Sequence, residues 1–220
     1  MRPKRPSAIL KASETPAFLV SNLVNIRFLT GISLSSGILL IDKNGMTLFT
    51  DGRYLETAAH AVHRGVSVRD TATLGDAMKK VRSCGIEDTD LSLDRYRRWK
   101  SKFKNTKFIH TSGVVEEFRR AKDKDEVLKF RRAQRITREM IRRVPSLLRR
   151  PIRETDLAWQ LQLWARELGA QGMAFDPIVA FGTNTSRPHH RPGSRILKKG
   201  HIVQIDCGAR YSGYCADQSA

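Results

Sequence analysis

Five apolar residues, Ala133, Ile136, Met140, Val144 and Leu147, step along the chain by 3, 4, 4 and 3 positions. That spacing puts them on one side of a helix, where they must bury against something else. Pro145 lies late in the run and should kink or shorten its last turn, and Pro151 closes it. A second helix is predicted with Leu157, Leu161, Trp164 and Leu168 on one face, Asp156 near its start and Gly169 and Gly172 after its end. The first helix is also strongly basic: residues 119–150 hold 13 Lys or Arg against 4 Asp or Glu, within a chain of 220 residues and net charge +18. A polyanion partner is one reading of such a charge. The segment has one aromatic, Phe130, and its apolar stripe claims a face for the core. A solvated basic face is therefore the better reading, and a nucleic-acid partner is not expected.

The chain before this helix is punctuated differently. Residues 17–54 read as strands and turns: AFLV (17–20), NIRFLTG (25–31), and two apolar runs within 36–54 joined at Lys43-Asn44-Gly45, where Asn-Gly signals a hairpin. A helix is predicted over about 54–63, a strand at VSVRD (66–70), and a helix over about 74–84. Strand-like segments follow at 85–94 and KFIHT (107–111). Strands alternating with helices indicate an α/β domain with a mixed sheet. The composition shifts near 119–123, which marks the domain boundary. Beyond the second helix, residues 174–193 are turn-rich, IVQIDCGA (202–209) reads as a strand, and Ser212-Gly213 turns it back.

Hydrophobic residues are 40% of the chain and charged residues 28%, a globular composition. The longest apolar runs, such as GILLI (37–41), are of strand length, so no membrane span is expected. The first 20 residues show no signal peptide. Cys84, Cys207 and Cys215 cannot all pair and match no zinc spacing, which suggests reduced thiols and a cytoplasmic setting.

Two aspartates, Asp206 and Asp217, flank the closing turn. On one straight strand, positions eleven apart would face opposite ways. A hairpin resets that count, so both carboxylates can converge on one face while Val203 and Ile205 face the core. Converging carboxylates repel unless one is protonated or a cation lies between them. Their hard oxygens suit Mn²⁺, Mg²⁺, Co²⁺ or Zn²⁺, although Asp is also a common turn former. Cys207 should point away from Asp206, toward the core, and Cys215 could face the aspartate side; packing is the favoured role of both. His189 and His190 lie in RPHHRP, where the prolines hold an extended presentation suited to substrate contact or proton transfer.

Taken together, these motifs resemble the pita-bread metallopeptidases, in the branch of Xaa-Pro aminopeptidase and Xaa-Pro dipeptidase (prolidase). NIRFLTG and TLFTDGRY (47–54) match the creatinase/prolidase N-terminal domain. Arg120, Lys122 and Glu126 fit the start of the catalytic domain. Gly182, Asn184, Pro188, His189, Asp206, Gly208, Gly213, Tyr214 and Asp217 match in order and spacing. The resemblance implies an α/β (α+β) fold with an N-terminal creatinase/prolidase-type domain over 1–118 and an incomplete pita-bread domain over 119–220. It implies Asp206 as a ligand of one metal, Asp217 as a bridge between two, and His189 as the catalytic, substrate-binding histidine. Two divalent ions are implied, Mn²⁺ first, with Co²⁺ or Zn²⁺ as alternatives. The implied substrate is a peptide with proline in second place, and the implied assembly a homodimer with Arg53 or Tyr54 near its interface. The family's remaining metal ligands, a histidine and two glutamates, would follow the hairpin. Ala220 stands where an arginine is usual, and His201 where aspartate is common. The resemblance therefore implies a C-terminally truncated chain without peptidase activity of its own. The alternative is a non-catalytic relative that keeps the N-terminal domain for dimerisation or binding.

Overall fold

Asn44 donates its backbone N–H to Asp42 Oδ1 at 2.8 Å, and Gly45 takes φ 129°. These two features close the first hairpin, as the Asn-Gly signal predicts. The computed structural model describes residues 6–220; the basic start of the chain, residues 1–5, lies outside the described residues. Two compact units divide at Ala121/Lys122.

The first unit contains, in order, α1 (Pro6–Ser13), β1 (Phe18–Val20), α2 (Leu23–Thr30), β2 (Ile38–Asp42), β3 (Gly45–Thr50), α3 (Leu55–Ala61), β4 (Val66–Asp70), α4 (Leu74–Met78), β5 (Ser83–Glu87), α5 (Leu93–Lys102), β6 (Lys107–Thr111) and α6 (Val114–Arg120). Its strands form one sheet in the order β4-β3-β2-β1-β5-β6. The pairs β1–β2 and β2–β3 are antiparallel, whereas β3–β4, β1–β5 and β5–β6 are parallel. The expected mixed sheet is present. Helices cover both faces, so central strands are apolar throughout. Phe18 and Val20 of β1 join one core with Ile9, Ile26, Leu29 and Leu48. Leu19 joins the other, with Phe49, Met78, Ile86 and Trp99.

Three local readings change. NIRFLTG is helical, not a strand and turn. Asn22 caps α2 by accepting from the amides of Val24 and Asn25, and Gly31 ends it at φ 84°. Cap chemistry decides what short apolar runs leave ambiguous. The helix expected over 74–84 stops at Met78, and Cys84 is buried inside β5, a strand that pairs with β1 on one side and β6 on the other. Helix α5, started by Ser92, buries Trp99 on an otherwise charged surface. Its sparse apolar face hides it from a periodicity reading.

The second unit contains α7 (Lys124–Leu147), α8 (Glu154–Glu167), β7 (Gly172–Met173), β8 (Ile178–Phe181), a 3₁₀ turn (Gly182–Ser186), β9 (Val203–Cys207), β10 (Ala209–Tyr211), β11 (Tyr214–Cys215) and β12 (Gln218–Ser219). Helix α7 starts on a reciprocal capping box between Asp123 and Glu126, and it contains Pro145 before stopping at Leu147. The predicted stripe is the core: Ile136, Met140 and Val144 pack with Leu157, Leu161, Val179, Phe181, Ile205 and Cys207. Two three-stranded sheets, β12-β9-β8 and β11-β10-β7, carry the candidate site.

Candidate functional site

The closing hairpin keeps one register along its length. Tyr211 pairs with Tyr214 and Arg210 with Cys215 in its outer half; Cys207 pairs with Gln218 and Asp206 with Ser219 in its inner half. Ala220 and Ile205 exchange backbone bonds at 2.8 and 2.9 Å, and Ala216 donates to Ala209 at 2.9 Å. The two turn residues both have positive φ, Ser212 at 46° and Gly213 at 71°. This is the two-residue loop whose twist matches the strands. Residues directly opposite share a face, and residues two apart along a strand share it too. Asp206 and Ser219 therefore share a face with Asp217, which lies diagonally from Asp206. Cys207 lies on the other side, fully buried, and Cys215 is exposed on the aspartate side. Asp206 is half-buried and accepts from Ser219 Oγ at 3.1 Å, while Asp217 is exposed.

Gly208 sits opposite Asp217 and between Asp206 and Arg210. A Cβ built there would lie 1.8 Å from the Ala216 carbonyl oxygen. Only glycine lets the strands approach this closely beside the carboxylates. The Cys207 thiol reports the local field. Burial is the largest cause that pushes it up, to about 12, and the charges of Asp206 and Asp217 add to it.

Helix α7 holds the hairpin in place. Thr137 Oγ1 accepts from the Ala209 amide at 2.9 Å, which satisfies a buried donor next to Gly208. Gln134 Nε2 donates to Gln218 Oε1 at 2.9 Å. Tyr214 Oη donates to Glu126 Oε1 at 2.9 Å, which ties the hairpin tip to the capping box.

The histidines behave differently from each other. Arg187 and His190 close a turn, N–H to carbonyl at 3.1 Å, with Pro188 and His189 at its tip. His189 is exposed there. His190 is nearly buried, with its Nε2 2.9 Å from Glu154 Oε2. Glu154 lies at the start of α8 and is fully buried. Burial works against its charge. Hydrogen bonds from His190, Asn184 and the amides of Gly193 and Phe181 outweigh that and hold its carboxyl down to about 2. Sequence reasoning missed Glu154. Its one sequence signal is an acid in the first turn of a helix, which does not announce a buried role.

The structure brings Asp206 and Asp217 onto one face. Among the described residues, no three His, Cys, Asp or Glu side chains converge as a metal-holding group. Two carboxylates are hard oxygen donors that fit a divalent ion such as Mn²⁺, as part of its ligand set. Among the described residues, no helix is long and apolar enough to cross a membrane.

Comparison with known proteins places the chain among peptidase relatives. The Creatinase/Prolidase N-terminal domain model matches residues 2–121, and the Metallopeptidase family M24 model matches residues 129–220. The "Uncharacterized peptidase YqhT" of Bacillus subtilis is 27% identical over 206 residues, 90% of this chain and 58% of that protein. The structure of an Xaa-Pro dipeptidase from Bacillus anthracis superposes with TM-score 0.91 at 27% identity, over 97% of this chain and 62% of that one. An X-Pro aminopeptidase from Thermotoga maritima superposes with TM-score 0.86 at 29% identity, over 96% and 63%. The chain thus spans about three-fifths of the length of these relatives.

Proposed function

This chain belongs to metallopeptidase family M24 and carries the creatinase/prolidase N-terminal domain, and on that premise we propose that it serves an Xaa-Pro peptidase, a hydrolase that removes the residue preceding a proline. Asp206 and Asp217 would hold divalent metal ions, Mn²⁺ first. His189 would contact the substrate. The reading includes a homodimer as the assembled form.

The observation that carries the reading is the uninterrupted hairpin register, which puts Asp206 and Asp217 on one face, with Gly208 opposite Asp217. Such a pair repels itself in the absence of a cation. When bound, divalent ions polarise the scissile carbonyl and acidify an attacking water. The protein's part is to supply and orient the carboxylates. Ser219 fixes one Asp206 oxygen, Thr137 and Gln134 hold the hairpin on α7, and Gly208 lets the strand approach the Ala216 carbonyl. His189, at the tip of its turn, would hydrogen-bond the peptide.

Calorimetric titration with Mn²⁺ tests the proposal on this chain and on the same chain extended by the C-terminal portion of an M24 relative. Two carboxylates alone leave an ion mostly water-liganded. Weak binding by the chain, tight binding by the extension, and cleavage of an Xaa-Pro peptide by the extension are expected. Asp206→Asn and Asp217→Asn should each abolish tight binding. Tight binding that survives both substitutions would overturn the assignment.

A further inference from the structure

The loop between β8 and β9 carries His189, and one buried carboxylate gathers its donors. Glu154 Oε1 accepts from the Phe181 amide at 2.8 Å and from Asn184 Nδ2 at 2.8 Å. Glu154 Oε2 is bonded to His190 Nε2 at 2.9 Å and accepts from the Gly193 amide at 2.9 Å. Two donors on each oxygen fill the four acceptor sites of an ionised carboxylate. Phe181 and Gly193 bracket the segment, and Asn184 and His190 lie inside it. The carboxylate therefore holds both ends and two interior points.

An ionised carboxylate only accepts, so His190 must carry its proton on Nε2 in this bond. The ring is thus fixed in orientation, with Nε2 carrying a proton. His190 is also the closing residue of the turn whose tip is Pro188-His189. Its neighbour, exposed at that tip, is one peptide bond from the clamp.

We propose that Glu154 is a positioning residue: through His190 and the two bracketing amides it fixes the turn that presents His189. The proposal rests on the reading of His189 as the substrate-contacting imidazole. Its test does not require turnover, so it stands or falls separately from the peptidase assignment.

The test is NMR of ¹⁵N-histidine-labelled protein, with amide hydrogen exchange of Phe181 and Gly193, in wild type, Glu154→Gln, His190→Phe and His190→Gln. Wild type should show His190 protonated at Nε2. Glutamine at 154 offers one acceptor oxygen in place of two, so one donor pair is orphaned. His190→Phe removes a single donor from the loop itself, so it remains informative should Glu154→Gln fail to fold. In His190→Phe the His189 resonances should shift and exchange at Gly193 should rise about tenfold, the loss of one hydrogen bond to a charged group. His190→Gln keeps a side-chain N–H donor and should restore wild-type exchange and His189 resonances. A purely structural role for Glu154 would change global unfolding without this donor-specific rescue. Unchanged His189 resonances and Gly193 exchange in folded His190→Phe would overturn the proposal, as would an Nδ1–H tautomer at His190 in wild type.

Discussion

Tyr214 Oη donates to Glu126 Oε1 at 2.9 Å, while the other oxygen of Glu126 accepts from the Asp123 amide at 2.9 Å. One nearly buried carboxylate thus closes the N-terminal capping box of α7 and anchors the tip of the hairpin that carries Asp206 and Asp217. Tyr214→Phe keeps the ring and deletes the donor, leaving a buried carboxylate oxygen short of a partner. A loss of about 1–3 kcal/mol is expected, read as a lower urea midpoint with unchanged slope. A midpoint equal to wild type would show that water replaces the hydroxyl without cost.

Gly208→Ala tests the close approach beside the aspartates. The added methyl would meet the Ala216 carbonyl oxygen at 1.8 Å and the Ala174 side chain at 3.2 Å. The first contact is with backbone, so the hairpin must move. Overpacking of this kind costs about 3 kcal/mol. The shift also separates the strands at Asp217, so Mn²⁺ affinity should fall with stability. A fully stable Gly208→Ala protein would contradict the geometry.

The hairpin was legible because its signals are local: alternation along 202–209, Ser-Gly at the turn, and a helical stripe to receive Ile205 and Cys207. The stripe itself, Ala133 to Val144, is buried as its spacing requires. The resemblance to prolidases followed from residues of the hairpin together with NIRFLTG, TLFTDGRY and the loop over 182–189. What stayed hidden depends on distant partners. Helix α2 is decided by Asn22 and Gly31 as caps, and a strand reading of 25–31 ignores them. Helix α5 has one fully packed aromatic, Trp99, amid arginines and lysines. Glu154 meets His190 across 36 positions, and no periodicity encodes that pairing.

Two buried carboxylates, one in each unit, should give opposite pH dependences. Glu154 is held at about 2, below its unfolded value of ~4.3. Its contribution is present above that unfolded value and is lost as pH falls toward 2. Its size is on the order of 3 kcal/mol. Glu87 is pushed up by burial, against hydrogen bonds from the Asn22 amide, the Asn25 side chain and the Ser21 amide. Its contribution is present below the unfolded value and is lost as pH rises through the raised one. Urea unfolding between pH 2 and 7 should show Glu154→Gln flattening the acid loss. Glu87→Gln should lose ground to wild type at low pH and recover some of it toward neutrality. An acid limb unchanged by Glu154→Gln would refute the linkage.

The cysteines offer a reading of which face of the hairpin is exposed. Cys84 and Cys207 are fully buried, and burial is the leading reason that each thiol is pushed up to about 12. Thiolate, the reactive form, is therefore scarce at both, and reagent cannot reach them. Cys215 is exposed on the side of Asp206 and Asp217. Native protein should react with one equivalent of a chromogenic disulfide and denatured protein with three. Cys215→Ser should remove the native reaction. Asp206→Asn removes one of the charges that raise Cys207, but burial persists, so the native count should stay at one. A second fast thiol in wild type that Cys207→Ser removes would mean that Cys207 turns outward. That would reverse the alternation and place the two aspartates on the core side of the hairpin.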